Sequence, residues 1–192
     1  MIDDFGGWRW VNEPADWSAD RSAGGVLRVT AGPGTDLWQV THYGYSFDTA
    51  HMYGRPVTGD ARVRVTFEAD YAEQYDQAGA VLRVDAHHWI KAGVEYVDGG
   101  HALSTVVTRD FSDWSVLPLP GPPGAVTLEL DRTGGAVTVR YGLDGAEPRE
   151  MVRLAYFPPG AEALAGVMCA APRGGGFQTR FTAVTVDERP IS

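Results

Sequence analysis

Ala61-Arg62-Val63-Arg64-Val65-Thr66-Phe67-Glu68-Ala69-Asp70-Tyr71 is the stretch whose reading decides the fold. Val63, Val65, Phe67 and Ala69 alternate with Arg62, Arg64, Thr66, Glu68 and Asp70. A period of two puts the apolar set on one face of a β-strand and the charged set on the other. The same period continues downstream. Ala78, Ala80, Leu82 and Val84 alternate with Gly79, Val81 and Arg83, and Ile90, Ala92, Val94 and Tyr96 alternate with Trp89, Lys91, Gly93 and Glu95. Working outward, the pattern predicts strands over residues 26–31, 36–41, 103–108, 126–131, 136–141, 151–157, 166–170 and 177–186. Asp98-Gly99-Gly100, Arg132-Thr133-Gly134-Gly135, Asp144-Gly145 and Gly174-Gly175-Gly176 supply turns between them.

No window carries an amphipathic helical pattern. The expected fold is all-β: a two-sheet antiparallel β-sandwich, with residues 1–192 as a single domain. Its core is expected to hold Val65, Phe67, Ala80, Leu82, Ile90, Val94, Val126, Leu128, Leu130 and Val139. Phe111-Ser112-Asp113-Trp114-Ser115 reads as a loop, and Pro118-Leu119-Pro120-Gly121-Pro122-Pro123-Gly124 as a rigid connection crossing between the sheets.

Composition narrows the function classes. The 24 glycines and 12 prolines suit many short elements joined by turns. A net charge of −9 with no basic run makes a poor surface for nucleic acid or for an anionic membrane, so neither is an expected partner. Cys169 is the sole cysteine, which rules out an intrachain disulfide and a cysteine-based metal cluster. It lies in an apolar strand, where a thiol is expected to be buried and inert. The opening Met1-Ile2-Asp3-Asp4-Phe5-Gly6 has neither the positive start nor the apolar stretch of a leader. The longest apolar run, residues 163–171, is about half a membrane span. A cytoplasmic protein is expected.

Chemistry concentrates on the outward face of the strands from Glu68 to Glu95. Glu68 and Asp70 share a face with Cα atoms about 6.7 Å apart. Arg83, Trp89, Lys91 and Glu95 face away from the core, and alternation allows only registers that set Arg83 opposite Trp89 or opposite Lys91. Gly79 and Gly93 among them leave a floor that another molecule can approach. The site expected is one groove on the concave sheet, built from Arg83, Trp89, Lys91 and Glu95, with Glu68, Asp70, Gln77 and His51 at its edges. Trp89 would stack on an apolar sugar face, Glu95 would accept hydroxyl hydrogen bonds, and Arg83 and Lys91 would hold a polar or anionic group. His87 and His88 diverge on an extended chain and do not form a joint metal site. His42 and His51 flank the aromatic segment from Tyr43 to Phe47 and read as structural or hydrogen-bonding groups. No nucleotide, hydrolase or zinc fingerprint is present, so no metal or cofactor is expected.

Trp10-Val11-Asn12-Glu13-Pro14 with Trp17, then Gly34-Thr35-Asp36-Leu37-Trp38, resemble a family of uncharacterised domains. Its most specific signature runs from Tyr71-Ala72-Glu73-Gln74-Tyr75-Asp76-Gln77-Ala78-Gly79 to Trp89-Ile90-Lys91-Ala92-Gly93-Val94-Glu95, and Ser112-Asp113-Trp114-Ser115 and Gly175-Gly176-Phe177 complete it. The family includes the fungal regulation-of-enolase protein and falls in the concanavalin A-like lectin/glucanase superfamily. The resemblance implies a jelly roll whose concave sheet, in superfamily relatives, holds carbohydrate; it implies no activity. The glucanase motif Glu-x-Asp-x-Glu fails at Ala72, and a bulged form is met in spacing only by Glu68, Asp70 and Glu73.

Three functions follow. The first is a non-catalytic module binding a glycan or similar polar ligand. The second is an intracellular protein-interaction or regulatory module. The third is a sugar-active hydrolase in which Glu95 works with Glu68 or Asp70, since glycoside hydrolysis needs two carboxylates about 5–9.5 Å apart.

Overall fold

The computed structural model describes residues 6–20 and 25–189, so the leader reading of the first five residues falls outside it. Sixteen strands are present among the described residues. They are β1 (Arg9–Val11), β2 (Trp17–Asp20), β3 (Val26–Ala31), β4 (Leu37–Gln39), β5 (Ser46–Asp48), β6 (His51–Thr58), β7 (Ala61–Ala69) and β8 (Gln77–Arg83), followed by β9 (His88–Val97), β10 (Gly100–Arg109), β11 (Phe111–Pro118), β12 (Val126–Thr133), β13 (Ala136–Leu143), β14 (Glu150–Tyr156), β15 (Glu162–Ala170) and β16 (Phe177–Glu188). One seven-stranded sheet runs β1-β6-β15-β8-β9-β10-β11 and the other β14-β13-β12-β7-β16-β3-β2, while β4 and β5 pair as a separate ribbon. The two large sheets form an antiparallel sandwich.

Alternation builds the core as expected. Val63, Val65 and Phe67 of β7 lie opposite Leu130, Leu128 and Val126 of β12, and all six are buried. Ala80, Leu82, Ile90 and Val94 of the facing sheet join them in one apolar cluster, as does Val139. Asp98 and Gly99 both take positive φ, 51° and 80°, giving the tight hairpin turn that joins β9 to β10 with the right twist. The proline-rich segment after β11 carries the chain from an edge of one sheet to the middle of the other, as read from its composition.

Three features depart from the sequence reading. First, β7 and β8 are consecutive but lie in opposite sheets. Glu68 and Asp70 are thereby separated from Glu95 by the sandwich core, and the hydrolase pairing of Glu95 with either of them is corrected. Second, residues 111–115 belong to β11, hydrogen-bonded to β10, because its polar residues border an edge. Third, the outward face of the β8–β9 hairpin is covered. The β4–β5 ribbon lays Leu37 and Trp38 over it, forming a second apolar cluster with Met52, Val81, Trp89 and Val106. The architecture is three layers deep at this point.

Candidate ligand-binding site

Between the ribbon and the outer face of the first sheet lies a narrow pocket, open to solvent and walled by Trp38, Tyr43, Tyr45, Tyr75 and Trp114. Its floor comes from β8 and β9. Gln77 sits directly opposite Glu95, and Gly79 directly opposite Gly93. Gln77 and Lys91 therefore meet above the one pair that has no side chains, and the Lys91 Nζ donates to Gln77 Oε1 at 2.6 Å. It also donates to the Leu37 carbonyl at 2.8 Å, which ties the ribbon down. Its third hydrogen has no such partner: Asp36 Oδ1 is 3.9 Å away. Gln77 Nε2 in turn donates to Asp36 Oδ1 at 3.3 Å.

Glu95 and Lys91 are each about 5% exposed, so their charges are felt in a medium of low dielectric. Burial pushes the Glu95 carboxyl above its usual range, opposed by Lys91 and by hydrogen bonds from Ser104 and Trp114. Burial likewise lowers Lys91, opposed by Asp36 and Glu95. The Trp114 indole N–H donates to Glu95 Oε2 at 3.0 Å.

Aromatic rings wall the pocket. Trp38 and Trp114 meet edge to face with centroids 6.4 Å apart, and Tyr43 stacks on Tyr45 at 5.3 Å. The Tyr43 and Tyr75 hydroxyls are 3.4 Å apart. That hydrogen bond, with burial, pushes Tyr43 up to about 12. Tyr75, which lines the pocket, and Val40 and His42 in the turn between β4 and β5 hold left-handed φ of 69°, 58° and 64°. Left-handed backbone is uncommon for residues with a Cβ and costly for a β-branched one, and such outliers gather where a site is held in shape. Buried acceptors and a spare ammonium hydrogen under aromatic faces can hold hydroxyl groups and the C–H face of a ring.

Of the residues expected at the site, the structure brings Gln77, Lys91 and Glu95 together and places the others elsewhere. Trp89 is opposite Arg83, one of the two allowed registers, but it is 1% exposed beneath the ribbon, with its indole donating to the Ala86 carbonyl. No face of it is open for stacking. Arg83 is held by both carboxylate oxygens of Asp48, at 2.6 and 3.3 Å. His51 is structural: Gly32 N–H donates to its Nε2 at 3.0 Å, which leaves Nδ1 to donate to the Asn12 carbonyl at 2.6 Å. Glu68 pairs with Arg180 on the other sheet. Asp36, Tyr43, Tyr45, Tyr75 and Trp114 were not singled out as site residues. The signal available was the density of aromatics from Trp38 to Phe47, noted above only as the segment that His42 and His51 flank.

Gly79 and Gly93 also have a different role from the one expected. A Cβ on Gly93 would stand 2.1 Å from the Ala78 carbonyl oxygen, and one on Gly79 2.1 Å from that of Ala92. The glycines let two backbones of the sheet approach each other; they are not there to admit a ligand.

A two-sheet antiparallel sandwich with a polar, aromatic-walled pocket on an outer sheet face is a jelly roll of the concanavalin A-like kind. The chain belongs to the family described as "Protein of unknown function (DUF1349)", whose model matches residues 10–189. It is 34% identical to "Regulation of enolase protein 1" of Saccharomyces cerevisiae over 173 residues, covering 90% of this chain and 85% of that protein. A crystal structure of a functionally unknown protein from Saccharomyces cerevisiae superposes with a TM-score of 0.88 at 30% identity, covering 97% of this chain and 99% of that one. The carbohydrate-binding module CBM66 from Bacillus subtilis superposes at 0.54 with 15% identity, covering 95% and 96%, a likeness of fold. No helix among the described residues is long and apolar enough to cross a membrane.

Proposed function

We propose that this chain is a non-catalytic binding module that holds a carbohydrate or similar polyhydroxylated ligand in the pocket between the β4–β5 ribbon and the first sheet. The observation that carries the reading is the meeting of Asp36, Gln77, Lys91 and Glu95 beneath Tyr43, Tyr45, Tyr75 and Trp114. Ligand sites combine apolar walls with a few fixed polar groups; here Gln77 joins Asp36 to Lys91, and Trp114 holds Glu95. Carboxylates accept from hydroxyls, the Lys91 ammonium donates to a ring or hydroxyl oxygen, and the tyrosines cover the C–H face. The fold shared with a carbohydrate-binding module supports this reading. We place the protein in the cytoplasm, with all of residues 1–192 acting as one domain.

The test is a thermal-shift screen and calorimetric titration of the purified protein with free monosaccharides and short oligosaccharides. Saturable binding that Glu95→Gln and Asp36→Asn each weaken at least about tenfold supports the proposal, the loss of one charged hydrogen bond being worth that much. Saccharide binding that either substitution leaves intact, or no binding to any saccharide, overturns it.

A regulatory, protein-binding role is the second reading, supported by the name of the yeast relative and by exposed side chains. Phe111 and Leu117 of β11, with Met151, Leu154 and Tyr156 of β14, are between 47% and 62% exposed on two sheet-edge strands. Exposed apolar edges mark interaction surfaces. Association with enolase that Met151→Lys and Leu154→Lys abolish would support it; association unchanged by both would remove the edge from consideration.

A further inference from the structure

Beside the pocket lies a second, wider concavity, open to solvent and bounded by Phe47, Pro172 and Arg173. The two share three residues, Asp36, Tyr45 and Tyr75, which form the doorway between them. We propose that this concavity is a second sugar subsite, so that the protein recognises the end of an oligosaccharide: the terminal unit in the pocket, the next unit on the shelf outside it. This rests on the binding reading above and specifies its ligand.

Topology gives the direction. The floor lies on β8 and β9, with β15 on one side in the sheet order and β10 and β11 on the other. Val106 of β10 and Trp114 of β11 wall the pocket on the second side, and both pack into the apolar cluster with Trp38. A chain cannot leave that way. On the β15 side, Arg173 follows the strand's end, and the opening is flanked by tyrosines and a carboxylate. An internal unit of a polymer needs two exits and this site offers one, so it accepts a chain end.

The shelf carries the groups a second ring would use. Phe47 is 37% exposed although large and apolar, and it is stacked edge-on against Tyr45, centroids 5.0 Å apart. Arg173 is exposed and makes no hydrogen bond or ion pair among the described residues. Its planar fork of donors is therefore free for vicinal hydroxyls. The Tyr45 hydroxyl lies within the fields of both Asp36 and Arg173.

The shelf is also held in place before any ligand arrives. Gly34 N–H donates to the Ala171 carbonyl at 2.9 Å, and Ala171 N–H donates to Thr35 Oγ1 at 2.9 Å. These bonds fix the start of the Pro172–Arg173 segment against the turn that leads into Asp36. A preformed surface spends less binding energy on ordering itself.

The experiment titrates wild-type protein, Phe47→Ala, Arg173→Ala and Glu95→Gln by calorimetry. The probes are glucose, xylose, galactose and fructose against cellobiose, xylobiose, lactose and sucrose. For the matching series, the disaccharide is expected to bind wild type about tenfold more tightly than the monosaccharide. In Phe47→Ala and in Arg173→Ala that ratio is expected to fall close to one. A wild-type ratio near one, or a ratio that both variants preserve, overturns the shelf while Glu95-dependent monosaccharide binding keeps the pocket. No saccharide binding, or binding that Glu95→Gln leaves intact, overturns both together.

Discussion

Replacing Gly93 by alanine adds one methyl group at the centre of the pocket floor, and the structure says what that methyl meets. It would stand 2.1 Å from the Ala78 carbonyl oxygen and 2.8 Å from the carbonyl carbon, with Gly79 Cα at 3.4 Å. All three are backbone atoms of the paired strand, so no rotamer change relieves the contact; β8 and β9 must separate. Overpacking of this kind costs about 1–3 kcal/mol, and an immovable backbone neighbour argues for the upper part of that range. For a chain of this size each kcal/mol moves the melting temperature by about 2–4 °C, giving a fall of roughly 4–12 °C. The strand shift also parts Gln77 from Lys91, so ligand affinity should fall with stability. The assay is thermal unfolding followed by circular dichroism, with Gly175→Ala as the control, since nothing lies within 4 Å of a Cβ there. Equal melting temperatures for Gly93→Ala and the control would refute the close-approach argument and restore the glycine as open floor.

Other consequences can be checked in the same preparation. Leu82, fully buried in the main core, should cost about 2–5 kcal/mol on truncation to alanine, read as a lower denaturant midpoint. Glu95, raised above its ordinary 4.5 by burial, holds its proton in the folded state at pH values where the unfolded chain has lost it. Its contribution to stability is therefore full below 4.5 and declines as pH rises through the folded value, so the stability of wild type relative to Glu95→Gln should fall across that window and level off above it. A flat difference between pH 4 and 8 would contradict the burial of this carboxyl. Cys169 is buried, with its thiol pushed well above the usual range, so a thiol reagent should label the native protein far more slowly than the unfolded chain.

Much of the fold was legible because alternation reports burial directly. The apolar sets of β7, β8, β9, β12 and β13 all point into the core, and the outward phase of Lys91 and Glu95 was read correctly. What alternation does not report is which strand lies beside which. Consecutive strands β7 and β8 face each other across the sandwich, and the carboxylates Glu68 and Asp70 went to the wrong sheet in the reading for that reason. β6 escaped notice because Gly54 and Pro56 interrupt it; Gly54 is required there, since a Cβ would stand 2.3 Å from the Ala165 carbonyl oxygen. Trp89 failed for a different reason. An outward residue is exposed only if nothing covers it, and although residues 36–41 read as a strand, nothing in that strand or in the three-residue β5 reports that the two pair into a covering ribbon. The same ribbon that buries Trp89 brings Asp36, Tyr43 and Tyr45 over Lys91 and Glu95, so one omission hid both the correction and the pocket wall.

A saccharide that enters between the ribbon and the floor comes to lie next to Glu95, and the tryptophan side-chain N–H signals report its arrival there. The Trp114 indole donates to Glu95 and Ser104 at 3.0 Å each, whereas the buried Trp89 indole donates to Ala86. In a nitrogen–proton correlation spectrum, titration with the saccharide found by screening should shift the Trp114 indole signal saturably and leave that of Trp89 in place. Saturable binding with the Trp114 signal unmoved, or with Trp89 as the signal that responds, would rule out entry beside Glu95.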